Sequence, residues 1–408
     1  MEGFRDLSSN RTAAHSDAGY RWVILGIVYL SLLSGAIVFQ SIPPILSLLI
    51  PDLGLSHTDA GLLMSLFALV AVFLSIPVGL LGDRYGAKNL IASCLALTVA
   101  GTLIVAAAGN FPVLAVGRLI AGAGAMSLFV AGSQLVSERF AGRELGIASG
   151  IYTTALPVGT IVSLNTVGAA AGSIGWRASL LAGAALSAVA LMAFLALHRS
   201  APVSGSRHGR DRQRSPFSDL SHLGLPIWLL GATMMLFTAA TISFITFGPD
   251  YFVARGYGIQ VAGFLAGFLM LLAPPISPLT GYILDRVGRE EVIIGMGGLL
   301  IAAGIFAISS FAFSPIAFLA VISLGNAIIP APIYALPPRV LKPQFLGLGF
   351  GIVSTGTNLG IVMGPYVTGF ARDATGSYQL SFSLMALFAV LVAVTAAVLS
   401  SVRRRARI

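Results

Sequence analysis

Charge is scarce in this 408-residue chain: Asp, Glu, Lys and Arg together make up 10% of it. A water-soluble domain needs roughly a quarter of its residues charged, so a soluble fold is excluded. Cysteine is scarcer still, and the single Cys94 rules out a disulfide within the chain. No His/Cys/Asp/Glu group has metal-ligand spacing, and no nucleotide-binding loop is present. Neither catalysis nor a metal or cofactor is expected. The first twenty residues are polar, with Asp6, His15 and Asp17, and lack the basic, apolar, small-residue order of a cleaved signal peptide.

What the chain has is apolar length. Hydrophobic residues make up 56% of it, and the mean hydropathy is +0.92. The charges cluster between twelve apolar stretches of about 20 to 28 residues, the length that crosses a bilayer as a helix. An all-α polytopic membrane protein of twelve spans follows. The net charge of +9 is a matter of topology rather than of an anionic macromolecule or nucleic acid. With alternate loops on alternate sides, 20 of the 24 Lys and Arg fall on the side of both termini and three, Arg177, Arg255 and Arg372, on the other. That bias places both termini in the cytoplasm of a cell whose inner membrane the chain spans.

The stretch GLLGDRYGAKN at 79–89 returns as GYILDRVGREE at 281–291, so Gly79, Asp83, Arg84 and Gly86 match Gly281, Asp285, Arg286 and Gly288 at a constant offset of 202. ELGIASGI at 144–151 likewise matches FLGLGFGI at 345–352, and Trp176 matches Tyr378. Two parallel six-helix repeats are implied. The expected division is a tail at 1–20, a first bundle at 21–198, a linker rich in Ser, Pro, Gly and Arg at 199–222, a second bundle at 223–402 and a basic tail at 403–408.

Twelve spans in two halves, with G-x-x-x-D-R-x-G between spans 2 and 3 and again between spans 8 and 9, resemble the major facilitator superfamily. The texture of spans 1 and 2 is similar to carriers of cyanate and nitroimidazoles. The family resemblance implies a latch, with Asp83 on the N-terminus of span 11 and Asp285 on that of span 5, where a carboxylate meets unpaired N–H groups and the positive end of the helix dipole. Gly79 and Gly281 would permit the approach. It also implies that spans 2, 5, 8 and 11 meet between the halves. Small faces are expected there: Gly146 and Gly150, Gly263 and Gly267, and Gly356, Gly360 and Gly364. Pro157 should bend span 5, and Pro274, Pro275 and Pro278 should bend span 8.

Polar residues inside the spans are the candidate ligands. Arg118, about six residues beyond Pro112 and so roughly 9 Å along span 4, is the one charge inside a span; it should face water, an anion or a partner. The same residue, in GRLIAGAG, resembles a span-4 motif of the family with a structural or proton-transfer role. Tyr29 and Gln40 in span 1, Tyr152 in span 5, Asn326 and Tyr334 in span 10 and Asn358 in span 11 complete the candidate substrate-binding set. The arginine patterns that resemble nitrate/nitrite porters in spans 2 and 8 are not matched.

The expected activity is secondary active or facilitative transport of a small solute, an anion by the Arg118 reading, by a monomer working through alternating access in the bilayer. The alternatives are a proton-coupled drug or metabolite exporter and a non-transporting sensor or assembly factor of the same fold. Every Asp, Glu and His falls in a tail, loop or helix end, Asp250 being nearest to an exception. Uniport or anion exchange is therefore expected, with no proton carried by the protein.

Overall fold

The structure is a computed structural model that describes residues 3–85, 87–140, 143–197, 224–310, 314–342 and 345–406. Its first half contains α1 (Gly3–Phe39), a 3-10 turn (Pro43–Ile45), α2 (Leu46–Leu53), α3 (His57–Tyr85), α4 (Ala87–Ala107), α5 (Phe111–Arg139), α6 (Arg143–Thr153), α7 (Ala155–Ile174) and α8 (Trp176–Leu197). The second contains α9 (Leu225–Ala254), α10 (Ile259–Leu271), α11 (Ala273–Val287), α12 (Glu290–Ser310), α13 (Pro315–Ile328), α14 (Pro330–Ala335), α15 (Pro337–Val340), α16 (Leu346–Thr375) and α17 (Tyr378–Ala406). Eleven helical segments among the described residues are long and apolar enough to cross a membrane, and α16, at 30 residues, takes the twelfth place. The α1 helix begins at Gly3 and so runs through the segment read as a tail; the segment read as a linker lies outside the described residues.

Prolines decide where the spans break. A proline has no N–H, so the carbonyl four residues earlier loses its partner. Span 5 divides at Thr154, ahead of Pro157, and span 8 divides at Leu272, ahead of Pro274 and Pro275, where bends are expected from sequence. Span 10 divides into α13, α14 and α15 at Pro330 and Pro337. Pro43 and Pro44 end α1 and produce the 3-10 turn.

The repeat is written in the backbone as well as in the motifs. Five glycines among the described residues adopt positive φ, and four of them fall into pairs: Gly54 with Gly256, and Gly175 with Gly376. Each pair holds the corresponding turn of the two halves in a conformation that a side chain disfavours. The fifth, Gly288, closes α11, and its sequence mate Gly86 lies outside the described residues. Apolar side chains such as Met192, Leu195, Met296, Leu299 and Phe306 are exposed on the outer faces, as a lipid-facing surface requires.

The halves pack through α3 on α16 and α7 on α10, all at one end of the molecule, called here the His57 end. A Cβ on Gly61 of α3 would sit 2.3 Å from the Pro365 carbonyl oxygen, one on Gly369 of α16 2.2 Å from that of His57, and one on Gly263 of α10 2.0 Å from that of Leu164. The Ser65 hydroxyl donates to the Val362 carbonyl across the same seam. Toward the terminus end the picture reverses. A Cβ on Gly150 or Gly351 would meet nothing within 4 Å, and Ile147 and Ile151 are exposed.

One expectation is corrected here. Gly356, Gly360 and Gly364 form a close-packed stripe, but against Gly231, Met235 and Ala239 of α9 inside the second half, not against the first half. The other side of α16, through Pro365 and Gly369, makes the crossing. Gly61→Val should therefore wedge the seam, because a backbone carbonyl cannot step aside; overpacking costs about 1–3 kcal/mol. Spin-label distances between the His57 ends of α3 and α16 should shift to the open population by about tenfold, whereas Gly150→Val should leave them unchanged.

Candidate functional site

Arg118 is 1% exposed. Its Nε donates to the Leu63 carbonyl (3.1 Å), Nη1 to Val38 (3.0 Å), and Nη2 to Phe39 (3.1 Å) and to the Met64 sulfur (3.5 Å). The Phe67 ring lies under the guanidinium at 4.1 Å. The local cause is proline. Pro43 has no N–H to offer the Phe39 carbonyl, and an unpaired carbonyl at membrane depth costs several kcal/mol. Arg118 supplies the missing donor from α5 and ties the broken end of α1 to α3. No carboxylate among the described residues pairs with it, so its charge is held but not neutralised.

The other candidates divide by their surroundings. Gln40 follows Phe39 directly, is 2% exposed, and its Oε1 has no hydrogen-bond partner. Tyr152 is buried and donates to the Leu128 carbonyl at 2.7 Å, in space left by Gly132. Asn326 donates to Leu269 at 3.3 Å beside the Ser323 hydroxyl, which donates to the same carbonyl at 3.0 Å; together they serve the C-terminus of α10, where span 8 is broken. Tyr29 is half-buried against the apolar cluster of the first half. Tyr334 is exposed, and Asn358 is half-buried with its amide turned back to the Ser354 carbonyl at 3.1 Å.

Of the repeated motif, Gly86 and the side chains of Asp83, Arg84 and Asp285 lie outside the described residues, as does the surrounding of Gly79. Gly281 has open space at its Cα, and Arg286 lies over the Tyr282 ring at 4.4 Å. The next residues do more than the sequence suggests. Glu290, the first residue of α12, is 1% exposed and pairs with Arg339 of α15 and Arg403 of α17, and Arg403 also pairs with Glu291. These ion pairs join three helices of the second half at the terminus end.

A cluster that sequence reading missed closes the His57 end. Ser56 and Asp59 form a capping box at the start of α3: the Ser56 hydroxyl accepts from the Asp59 N–H (2.9 Å), and the Asp59 carboxylate accepts from the Ser56 N–H (3.0 Å). The first two helical N–H groups remain. Asp373, from the last turn of α16 beyond its apolar stretch, takes both, at 3.0 Å from His57 and 2.7 Å from Thr58. Burial raises the pKa of the Asp373 carboxyl, and the hydrogen bonds from Thr58 and His57 outweigh it, holding the group below the usual carboxylate range. The His57 ring sits between two carboxylates, Nδ1 at 3.1 Å from Asp373 and Nε2 at 3.3 Å from Asp250 of α9. Tyr378 of α17 donates its hydroxyl to Asp250.

The pseudosymmetric place is filled differently. Ile259, which opens α10 as His57 opens α3, packs its methyl groups toward Gly168 and Gly172 of α7. One seam is thus polar and the other apolar. In both halves an aromatic residue at the head of the sixth helix donates to an aspartate near the end of the first: Trp176 to Asp52 at 3.0 Å, Tyr378 to Asp250.

Comparison with known proteins gives a match to the model of the Major Facilitator Superfamily over residues 28–324 and 275–407. The "Lysosomal dipeptide transporter MFSD1" of Homo sapiens is 23% identical over 348 residues, 80% of this chain and 74% of the relative. The "Probable nitrate transporter NarT" of Staphylococcus epidermidis is 26% identical over 376 residues, 90% and 93% of the two chains. A crystal structure of a bacterial homolog to the human lysosomal transporter Spinster, inward-facing and unoccupied, aligns with TM-score 0.80 at 16% identity over 94% of this chain and 97% of that one. Removal of Arg118 should be felt as lost stability. Arg118→Ala leaves the Phe39 carbonyl without its donor, at about 1–3 kcal/mol, while Val38 keeps the Ser41 hydroxyl, and thermal unfolding in detergent should fall below that of Arg118→Lys, which retains some donors.

Proposed function

The chain belongs to the Major Facilitator Superfamily, and on that premise we propose that it is a secondary transporter that moves a small anion across the inner membrane by alternating access. The observation that carries this reading is Arg118, a full positive charge buried beside the broken end of α1 with carbonyls and no carboxylate around it. In a low-dielectric interior such a charge acts over several ångströms. It attracts an anion without touching it. Gln40, next in sequence to the Phe39 carbonyl that Arg118 holds and with its amide oxygen unpartnered, is the proposed contact group beside this charge. Half a turn about its last torsion exchanges the amide oxygen for its NH2, a donor suited to an anion.

Close packing between the halves at the His57 end, with Gly150 and Gly351 in open space toward the terminus end, supports the motion. With 20 of 24 Lys and Arg on the terminus side, the His57 end faces outward and the open end faces the cytoplasm. The solute enters between the halves, and the halves rock about it. Tyr29, Tyr334 and Asn358 remain candidate contacts, whereas Tyr152 and Asn326 serve helix packing with Arg118. The motif residues Asp83 and Asp285 are proposed to latch the terminus end when it closes.

Flux into proteoliposomes tests the substrate class. Nitrate, nitrite, small carboxylates and a dipeptide make up the panel. Saturable flux of a small anion is expected, with KM raised about tenfold in Gln40→Leu for loss of a hydrogen bond to a charged group. Dipeptide flux with no anion flux would overturn the reading.

A further inference from the structure

His57 stands where the two halves meet, and both of its ring nitrogens face carboxylate oxygens, at 3.1 Å and 3.3 Å. A neutral imidazole has one N–H, so one nitrogen would turn a lone pair toward an acceptor that has nothing to donate. The doubly protonated ring donates to both. The carboxylates are fixed independently of the ring: Asp373 by the His57 and Thr58 N–H groups, Asp250 by the Tyr378 hydroxyl. The side chains of His57, Asp250 and Asp373 are 18%, 13% and 29% exposed, so the charges are only partly screened.

We propose that His57 is a proton-binding site: it takes up one proton from the phase facing this end when the halves close there, and gives it back to the same phase when they open. The proposal rests on the alternating-access reading and adds its regulation. The proton does not cross the membrane. It sets the resting population, so that the chain responds to the pH of one compartment without being driven by a pH gradient. The groups that face the ring are Asp373 on α16, Asp250 on α9 and Tyr378 on α17, whose ring centroid lies 5.9 Å away. Arg372 of α16 lies over the Tyr378 ring at 4.8 Å, and Asp59 of α3 itself is turned to Ser56. Two carboxylates against one ring leave room for one added positive charge.

The sign follows from linkage. The closed form binds the proton and the open form does not hold it between carboxylates, so closure is favoured at low pH and lost as pH rises, by up to about tenfold per pH unit for one linked proton. Protonating either carboxylate would remove an acceptor and loosen the latch, the opposite sign.

The test needs no solute. With Cys94 replaced by Ala, spin labels at the His57 ends of α3 and α16 report the closed population in lipid nanodiscs from pH 5 to 9. The wild-type side chain at 57 should lose the closed population as pH rises, His57→Gln should show no such dependence, and His57→Arg should stay closed throughout. Distances that ignore pH, or His57→Gln retaining the wild-type dependence, would overturn the proposal while leaving transport untouched. Absence of any solute flux with pH-dependent distances would instead count against the transport reading alone.

Discussion

A backbone that crosses hydrocarbon must find a partner for every N–H and C=O it exposes, and this chain breaks its own helices at prolines in spans 1, 5, 8 and 10. Each break creates polar groups that something else must satisfy. Span 1 is mended by Arg118, which reaches from α5 to the carbonyls of Val38 and Phe39. Span 8 is mended by Ser323 and Asn326, which reach from α13 to the Leu269 carbonyl. These repairs lie within one half and are permanent.

The repair at the start of α3 is of the same kind but spans the two halves. Asp373 of the second half satisfies the first two N–H groups of a helix in the first. Water can replace it. Opening the His57 end therefore leaves no orphaned group, because the separated carboxylate and helix end become solvated together. A carboxylate on a helix N-terminus is stabilised by at most about 2 kcal/mol, which is strong enough to hold a seam and weak enough to release it. On the pseudosymmetric seam, Ile259 against Gly168 and Gly172 supplies contact without direction. The fold repeats, but the locks do not, and this asymmetry lets one seam answer to charge while the other only packs.

The sequence was most legible where local chemistry decides. The doubled G-x-x-x-D-R-x-G motif and the prolines at 157, 274 and 275 identify the halves and the bends, because a missing N–H has the same effect in any surroundings. Arg118 was visible as a costly charge that needed a partner; that the partner is a carbonyl stripped by Pro43 depends on helices 79 residues apart meeting. The small stripe of Gly356, Gly360 and Gly364 was equally visible, but a smooth face does not name its neighbour, and α9 took it. His57 and Asp373, 316 residues apart, read separately as helix-end polar groups. The S-H-T-D capping box satisfies part of the α3 terminus and leaves two N–H groups over, a deficit that only the assembled halves reveal.

The central claim is that the halves are rigid bodies sealed at one end at a time, and a reducible cross-link across the His57 end addresses it most directly. With Cys94 replaced by Ala, cysteines at Thr58 and Asp373, whose side chains already meet across the seam, would be joined by oxidation and the protein assayed in proteoliposomes for anion binding and for exchange across the bilayer. The account predicts that the cross-linked protein still binds solute from the terminus side, exchanges none across the membrane, and recovers exchange when the disulfide is reduced. Undiminished exchange with the cross-link intact would contradict it.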